Sequence, residues 1–207
     1  MNHRGLLIVV SGPSGAGKGT ICKELLERDP SIVVSVSATT RSPREGEIDG
    51  KSYHFYSKDD FKRMIEEDGF LEHANVYDNY YGTPKKFVID RIASGDNVLL
   101  EIDIQGAIQV KKKYPEGVFV FILPPSMKEL RSRIVGRGSE TQESLMKRLS
   151  SAYSEIEYIK NYDYFIVNDT VSHATDILQS IITAEKCRVD ADIEELVCKF
   201  KEETENA

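Results

Sequence analysis

Apolar residues along this chain fall into two kinds of stretch, uninterrupted short runs and longer segments with helical spacing. The runs are Leu6–Val10, Ile32–Val36, Val98–Ile102, Val118–Leu123 and Tyr164–Val167. None alternates strictly with polar residues, so each is read as a strand covered on both faces. Helical patterns lie between them. Ile21, Leu25 and Leu26 follow the first run, in a helix that ends near Asp29-Pro30. Thr83-Pro84 reads as a cap and first helical position of a helix that stops at Gly95, and Gln105–Lys113 is a shorter one. Ser126 caps a helix carrying Arg131 and Arg133, which breaks at Gly136-Arg137-Gly138. Beyond it Leu145, Leu149, Ala152, Ile156 and Ile159 form a stripe. Strands alternating with helices predict an α/β fold on a five-stranded parallel sheet.

The stretch from Ser37 to Tyr81 breaks that rhythm. Polar and aromatic pieces alternate there with turn signals at Pro43, Gly46 and Gly50. Ser57 caps a short helix with Asp59 and Asp60 in its first turn and Phe61 and Ile65 on one face. The chain is therefore divided into a core (1–36, 84–125 and 160–207), an inserted mixed β subdomain (37–83) and a helical lid region (126–159).

Composition narrows the function. With 207 residues, 40% hydrophobic and 29% charged, the chain suits one domain with insertions. A net charge of −7 without a long basic tract argues against nucleic acid, and Lys111-Lys112-Lys113 reads as a solvated helix end. No apolar stretch reaches the length of a membrane span, so no membrane partner is expected. Cys22, Cys187 and Cys198 are far apart and lack a CxxC pair, which points to a reducing, cytoplasmic setting.

The strongest chemical signal follows the first strand. Gly12, Pro13, Ser14, Gly15, Ala16, Gly17, Lys18, Gly19 and Thr20 form a GxxxxGK loop between a strand and a helix, the context of a P-loop. Backbone amides there can turn inward around phosphates, and Lys18 adds a full charge. The chain is thus expected to bind a nucleoside triphosphate on a P-loop kinase core. Gly19 stands where a Ser or Thr commonly ligates the metal, and the hydroxyl comes one residue later at Thr20.

Taken together, GPSGAGKGT, TTRSPREGEIDGKSY, FLEHANVYDNYYGT, EIDIQG, ILPPS, GRG and IVND resemble the guanylate kinase family, over nearly the whole chain to about residue 185. The resemblance implies transfer of the γ-phosphoryl of ATP to GMP with Mg²⁺, and an insertion that binds GMP. By matching motif positions, Arg41, Arg44, Tyr53 and Tyr81 fall on the GMP phosphate. Glu72 and Asp103 match carboxylates for the donor edge of guanine, and Ser37 and Thr83 match base-side hydroxyls. Arg137 and Arg148 match lid arginines over the triphosphate, and Asn168 matches a position near adenine. Lys18, Arg41, Arg137 and Arg148 are the expected catalytic set. No side chain is assigned to the metal, which would be held mainly by substrate phosphates and water.

The residue chemistry agrees with these roles. Arginines three apart beside a proline turn suit a phosphate, and carboxylates suit N1–H and the 2-amino group of guanine. His54 and His73 are read as structural, because a phosphate acceptor with a second pKa of about 6 needs no general base. A non-catalytic module of the same fold, or a kinase for another monophosphate, are the competing readings. The sequence leaves dGMP acceptance, and monomer against homo-oligomer, open.

Overall fold

A computed structural model describes residues 4–135, 142–189 and 193–205. The central sheet contains β1 (Leu7–Ser11), β2 (Val33–Val34), β7 (Val98–Glu101), β8 (Val118–Leu123) and β9 (Tyr164–Val167). Its order is β2-β7-β1-β8-β9 and every pairing is parallel. Continuous apolar runs follow from cover on both faces. Ile8 and Val10 of β1 enter one core with Ile21 and Leu25 of α1 (Lys18–Arg28) and Leu178 of α7 (Val171–Glu185). Leu7 and Val9 enter the other, with Val88 and Ile92 of α3 (Lys85–Ala93) and Val110 of α4 (Ile104–Lys113). α4 starts at Asp103, whose side chain accepts from the Gly106 amide at 2.7 Å.

Two local expectations change. The second run forms a ladder only at Val33–Val34, with Val34 exposed, because β2 is an edge strand rather than a buried one. Thr83 does not cap α3: β6 (Asn79–Pro84) runs through it, Pro84 is the residue before the helix, and the Thr83 hydroxyl is spent elsewhere.

A second, four-stranded sheet sits between β2 and α3 in the chain. It comprises β3 (Ala38–Thr39), β4 (His54–Phe55), β5 (Phe70–Val76) and β6, in the order β4-β3-β6-β5. β3 pairs parallel to β4 and antiparallel to β6, so the sheet is mixed. Its own small core stacks Phe61 of α2 (Lys58–Glu66) on Phe70, with ring centroids 4.3 Å apart. Ser57 caps α2 as expected, accepting from the Asp60 amide.

After β8, α5 (Met127–Val135) is capped by Ser126, whose hydroxyl accepts from the Glu129 amide. Residues 136–141 lie outside the described part. α6 (Gln142–Ile156) then leads through a 3₁₀ turn (Glu157–Asn161) into β9, and α8 (Ile193–Glu205) is the last helix. None of the described helices is long and apolar enough to cross a membrane.

Candidate active site

The loop after β1 sits at the carboxyl end of the central strand of the parallel sheet. Connections from β1 and from β7 leave in opposite directions there, the place where such sheets bind ligands. Its shape comes from the backbone. α1 begins after Gly17 with no side-chain cap and no acidic residue in its first turn, so its leading amides stay available to an anion. Gly17 has φ +94°, and a Cβ there would lie 2.3 Å from the Asn168 amide nitrogen, so only glycine fits. Gly12, at φ +144°, passes equally close to the Ile122 carbonyl.

Lys18 folds back over this loop, donating to the carbonyls of Gly12 (2.7 Å) and Pro13 (3.2 Å). Burial lowers its pKa from the ordinary lysine value, while the carboxylates of Glu101, Glu155 and Asp103 act in the opposite direction. Glu101 also lies beside Gly19, its carboxylate 3.2 Å from where a Cβ would sit. The loop is braced from the far side by Asn168, which is buried and donates to the Ala16 carbonyl at 2.7 Å. Arg133 donates to the carbonyls of Asn168 (3.0 Å) and Ala16 (3.4 Å), besides pairing with Glu129 one turn earlier. The amide nitrogen of Asn168, the residue expected near adenine, is committed to the loop. The brace by Arg133 is invisible in the sequence, where an i,i+4 Glu–Arg pair explains that residue fully.

The second cluster lies in the mixed sheet. A cavity of about 340 Å³ is lined by Ser37, Tyr53, Glu72, Tyr81 and Asp103 together with apolar neighbours. Glu72 on β5 is 7% exposed and accepts from the Thr83 hydroxyl of β6 at 2.7 Å. Burial, together with nearby Asp103, raises its pKa from 4.5 to about 7, against the Thr83 hydrogen bonds. Asp103 serves the cavity while one oxygen caps α4. Beside the cavity, Arg41 stacks over the Tyr53 ring, 5.3 Å from its centroid, and Tyr53 meets Tyr81 edge-on at 6.2 Å.

Arg41 is held by a residue the sequence reading missed. Glu47 accepts from both terminal nitrogens of the guanidinium at 2.9 Å each, and from the Arg44 backbone amide at 2.7 Å. Arg41 Nη1 also donates to the Ser42 carbonyl. These bonds use three of the five guanidinium hydrogens, and the remaining Nε–H and outer Nη2–H edge is shared with the Tyr81 hydroxyl, which is hydrogen-bonded to the guanidinium. The pair raises the pKa of Arg41 and holds that of Glu47 down to about 2. The signal was available: Glu47 is six residues from Arg41 across a Gly-containing turn. The Arg44 side chain is on the exposed limb of that turn.

Of the expected residues, Ser37, Tyr53, Glu72, Tyr81 and Asp103 share the cavity, with Thr83 joined through Glu72 and Arg41 through the tyrosines. Lys18 and Asn168 belong to the loop cluster. Arg137 lies outside the described residues, and so does the side chain of Arg148, whose backbone is in α6.

The family model for guanylate kinase matches residues 4–185. Guanylate kinase of Clostridium acetobutylicum is 65% identical over 190 residues, covering 92% of this chain and 90% of that protein. Guanylate kinase of Caldanaerobacter subterraneus subsp. tengcongensis is 59% identical over 204 residues, with 99% and 98% covered. The crystal structure of guanylate kinase from Anaplasma phagocytophilum superposes with a TM-score of 0.74 at 36% identity, covering 94% of both chains.

Proposed function

The chain belongs to the guanylate kinase family, and we propose that it transfers the γ-phosphoryl group of ATP to the 5′-phosphate of GMP, giving ADP and GDP. The observation that carries the choice of acceptor is the Glu72–Thr83 pair facing one cavity with Asp103. The carboxyl oxygens there match the N1–H and 2-amino donors of guanine, and pairing with those donors favours the ionised form of Glu72. Adenine lacks both donors and would leave the buried Glu72 carboxylate unmatched, and a site built to hydrogen-bond a missing group rejects such an analogue by about 10⁴-fold.

Residues 37–83 act as the acceptor subdomain, residues 126–159 as a lid and the rest as the core. Ser37 and Thr83 contact the base side, and Tyr53, Tyr81, Arg41 and Arg44 hold the acceptor phosphate. The amides from Gly12 to Thr20 cradle the ATP phosphates. On binding, Lys18 exchanges its two backbone carbonyls for phosphate oxygens. An oxygen of the GMP phosphate, already largely dianionic at neutral pH, bonds to the γ-phosphorus as the bond to the ADP oxygen breaks. Arg137 and Arg148 reach the transferring group from the lid, which also excludes water.

Members of this family are kinases that work with a divalent metal. Glu101, at the carboxyl end of β7 beside Gly19 of the loop, is a hard oxygen donor that would hold Mg²⁺ through its water shell. Held chiefly by phosphates and water, the ion would neutralise charge between the two nucleotides. The reaction is assigned to the cytoplasm, in keeping with three unbridged cysteines.

A coupled assay with ATP and each of GMP, AMP, CMP and UMP tests the reading. Turnover confined to GMP is the expected result, and equal use of AMP, or no use of GMP, overturns it.

A further inference from the structure

β5 is the edge strand of the mixed sheet, so one side of its backbone has no strand partner. It also carries an irregularity at the residue that matters most. Phe70 pairs with Pro84 and Glu72 with Thr83, so two steps along β5 oppose one along β6, with Leu71 as the extra residue. A bulge leaves the local direction of a strand less determined by its neighbour, and this one immediately precedes Glu72.

Helix α4 brackets the bulge from the open side. The Gln109 side-chain amide accepts from the His73 backbone N–H at 3.2 Å and donates to the His73 carbonyl at 3.1 Å. One side chain thereby supplies both bonds a missing strand would give. One turn on, Lys113 Nζ donates to the Phe70 carbonyl at 2.7 Å and pairs with Asp68 at 2.6 Å. The two anchors flank Leu71 and Glu72. In the first turn of the same helix, Gly106 makes room for Glu72: a Cβ there would lie 3.1 Å from Glu72 Oε2.

From this bracket we infer that Gln109, with Lys113 behind it, is a positioning residue for base selection, setting the height and aim of Glu72 from the core helix rather than from the sheet that carries it. The inference rests on the acceptor reading given above. Because the same helix begins at Asp103, both carboxylates of the cavity are referenced to one rigid element. The two bonds to Gln109 use only the backbone of His73, while its ring packs against Phe70 at 6.3 Å.

The test uses the full chain with Gln109→Leu, which removes both bonds, and Gln109→Glu, which keeps the acceptor and loses the donor. Steady-state kinetics with GMP and with inosine monophosphate, which lacks the 2-amino group, is paired with amide hydrogen exchange of the nucleotide-free protein. Gln109→Leu is expected to raise KM for GMP about tenfold, with kcat and KM for ATP within about twofold. The preference for GMP over inosine monophosphate should fall, and the His73 amide should lose protection. Gln109→Glu should be intermediate, and Lys113→Met supplies a second anchor should either variant fold poorly. Lost His73 protection with unchanged KM and preference overturns the positioning role, as does retained protection or a fall in kcat alone. If the wild-type chain does not phosphorylate GMP, the acceptor reading fails, and the exchange experiment still decides whether Gln109 locks the strand.

Discussion

The two halves of the site are built from different materials. The phosphate loop is made of backbone: amides, two glycines that no other residue could replace, and one lysine parked on carbonyls of its own loop. The acceptor cavity is made of side chains, most of them held by other side chains. Glu72 rests on Thr83, Arg41 on Glu47, and Tyr53 on both Arg41 and Tyr81. A backbone site recognises what all nucleoside triphosphates share. A side-chain site distinguishes one base from another, and substitution can retune it piece by piece.

The contrast is broken most severely at Lys18. Lys18→Ala should lower kcat about 10³-fold or more, while calorimetry finds GMP affinity little changed. Lost GMP binding with unimpaired turnover would show that the halves are not separate. Glu72→Gln comes next. It should cost about 10²-fold or more in kcat/KM for GMP, because the amide cannot accept from both guanine donors, while ATP affinity stays.

The same variant should be the more stable protein at high pH. Glu72 is protonated in the fold up to about pH 7 but in the unfolded chain only up to about 4.5. Its favourable contribution is therefore complete below pH 4.5 and is lost as pH rises through 7. The difference is on the order of 3 kcal/mol at pH 8. Thermal melts should find Glu72→Gln stabilised at pH 8 and close to wild type at pH 5. Equal melting shifts at both pH values would contradict the buried carboxyl.

Gly17→Ala tests the backbone half. A Cβ would collide with Asn168, so KM for ATP should rise about tenfold and stability should fall by about 2 kcal/mol, with GMP affinity kept. The smallest effect is expected from Glu47→Gln. The amide keeps one bond to Arg41, so KM for GMP should rise about fivefold with kcat nearly constant. A large loss of kcat there would make Glu47 part of the chemistry rather than of the scaffold.

The same division governed what could be read in the sequence. The phosphate loop is contiguous and its chemistry is encoded in residue order, so Gly12 to Thr20 were legible at once. The parallel core was legible because burial on both faces leaves continuous apolar runs, although β2 shortened at its sheet edge. Individual site residues were legible by motif, but not the supports of either half. Glu47, Gln109 and Arg133 act across a turn, between helix and strand, and 117 residues apart in the case of Arg133 and Ala16. Thr83 was misread as a cap because its partner, Glu72, lies across a ladder that spacing does not reveal.

The Arg41–Glu47 pair has one more consequence, which concerns the ions a cell holds in abundance. With its charge balanced and most of its fork taken by Glu47, the Ser42 carbonyl and the Tyr81 hydroxyl, Arg41 offers a stray inorganic phosphate little net attraction. GMP differs because its phosphate arrives tethered to a base. Contacts in the cavity raise the local concentration of that phosphate at the outer edge of Arg41, and affinity then depends on both ends being right. An arginine partly occupied from within thus makes the clamp respond to the whole nucleotide and stay quiet toward its fragments.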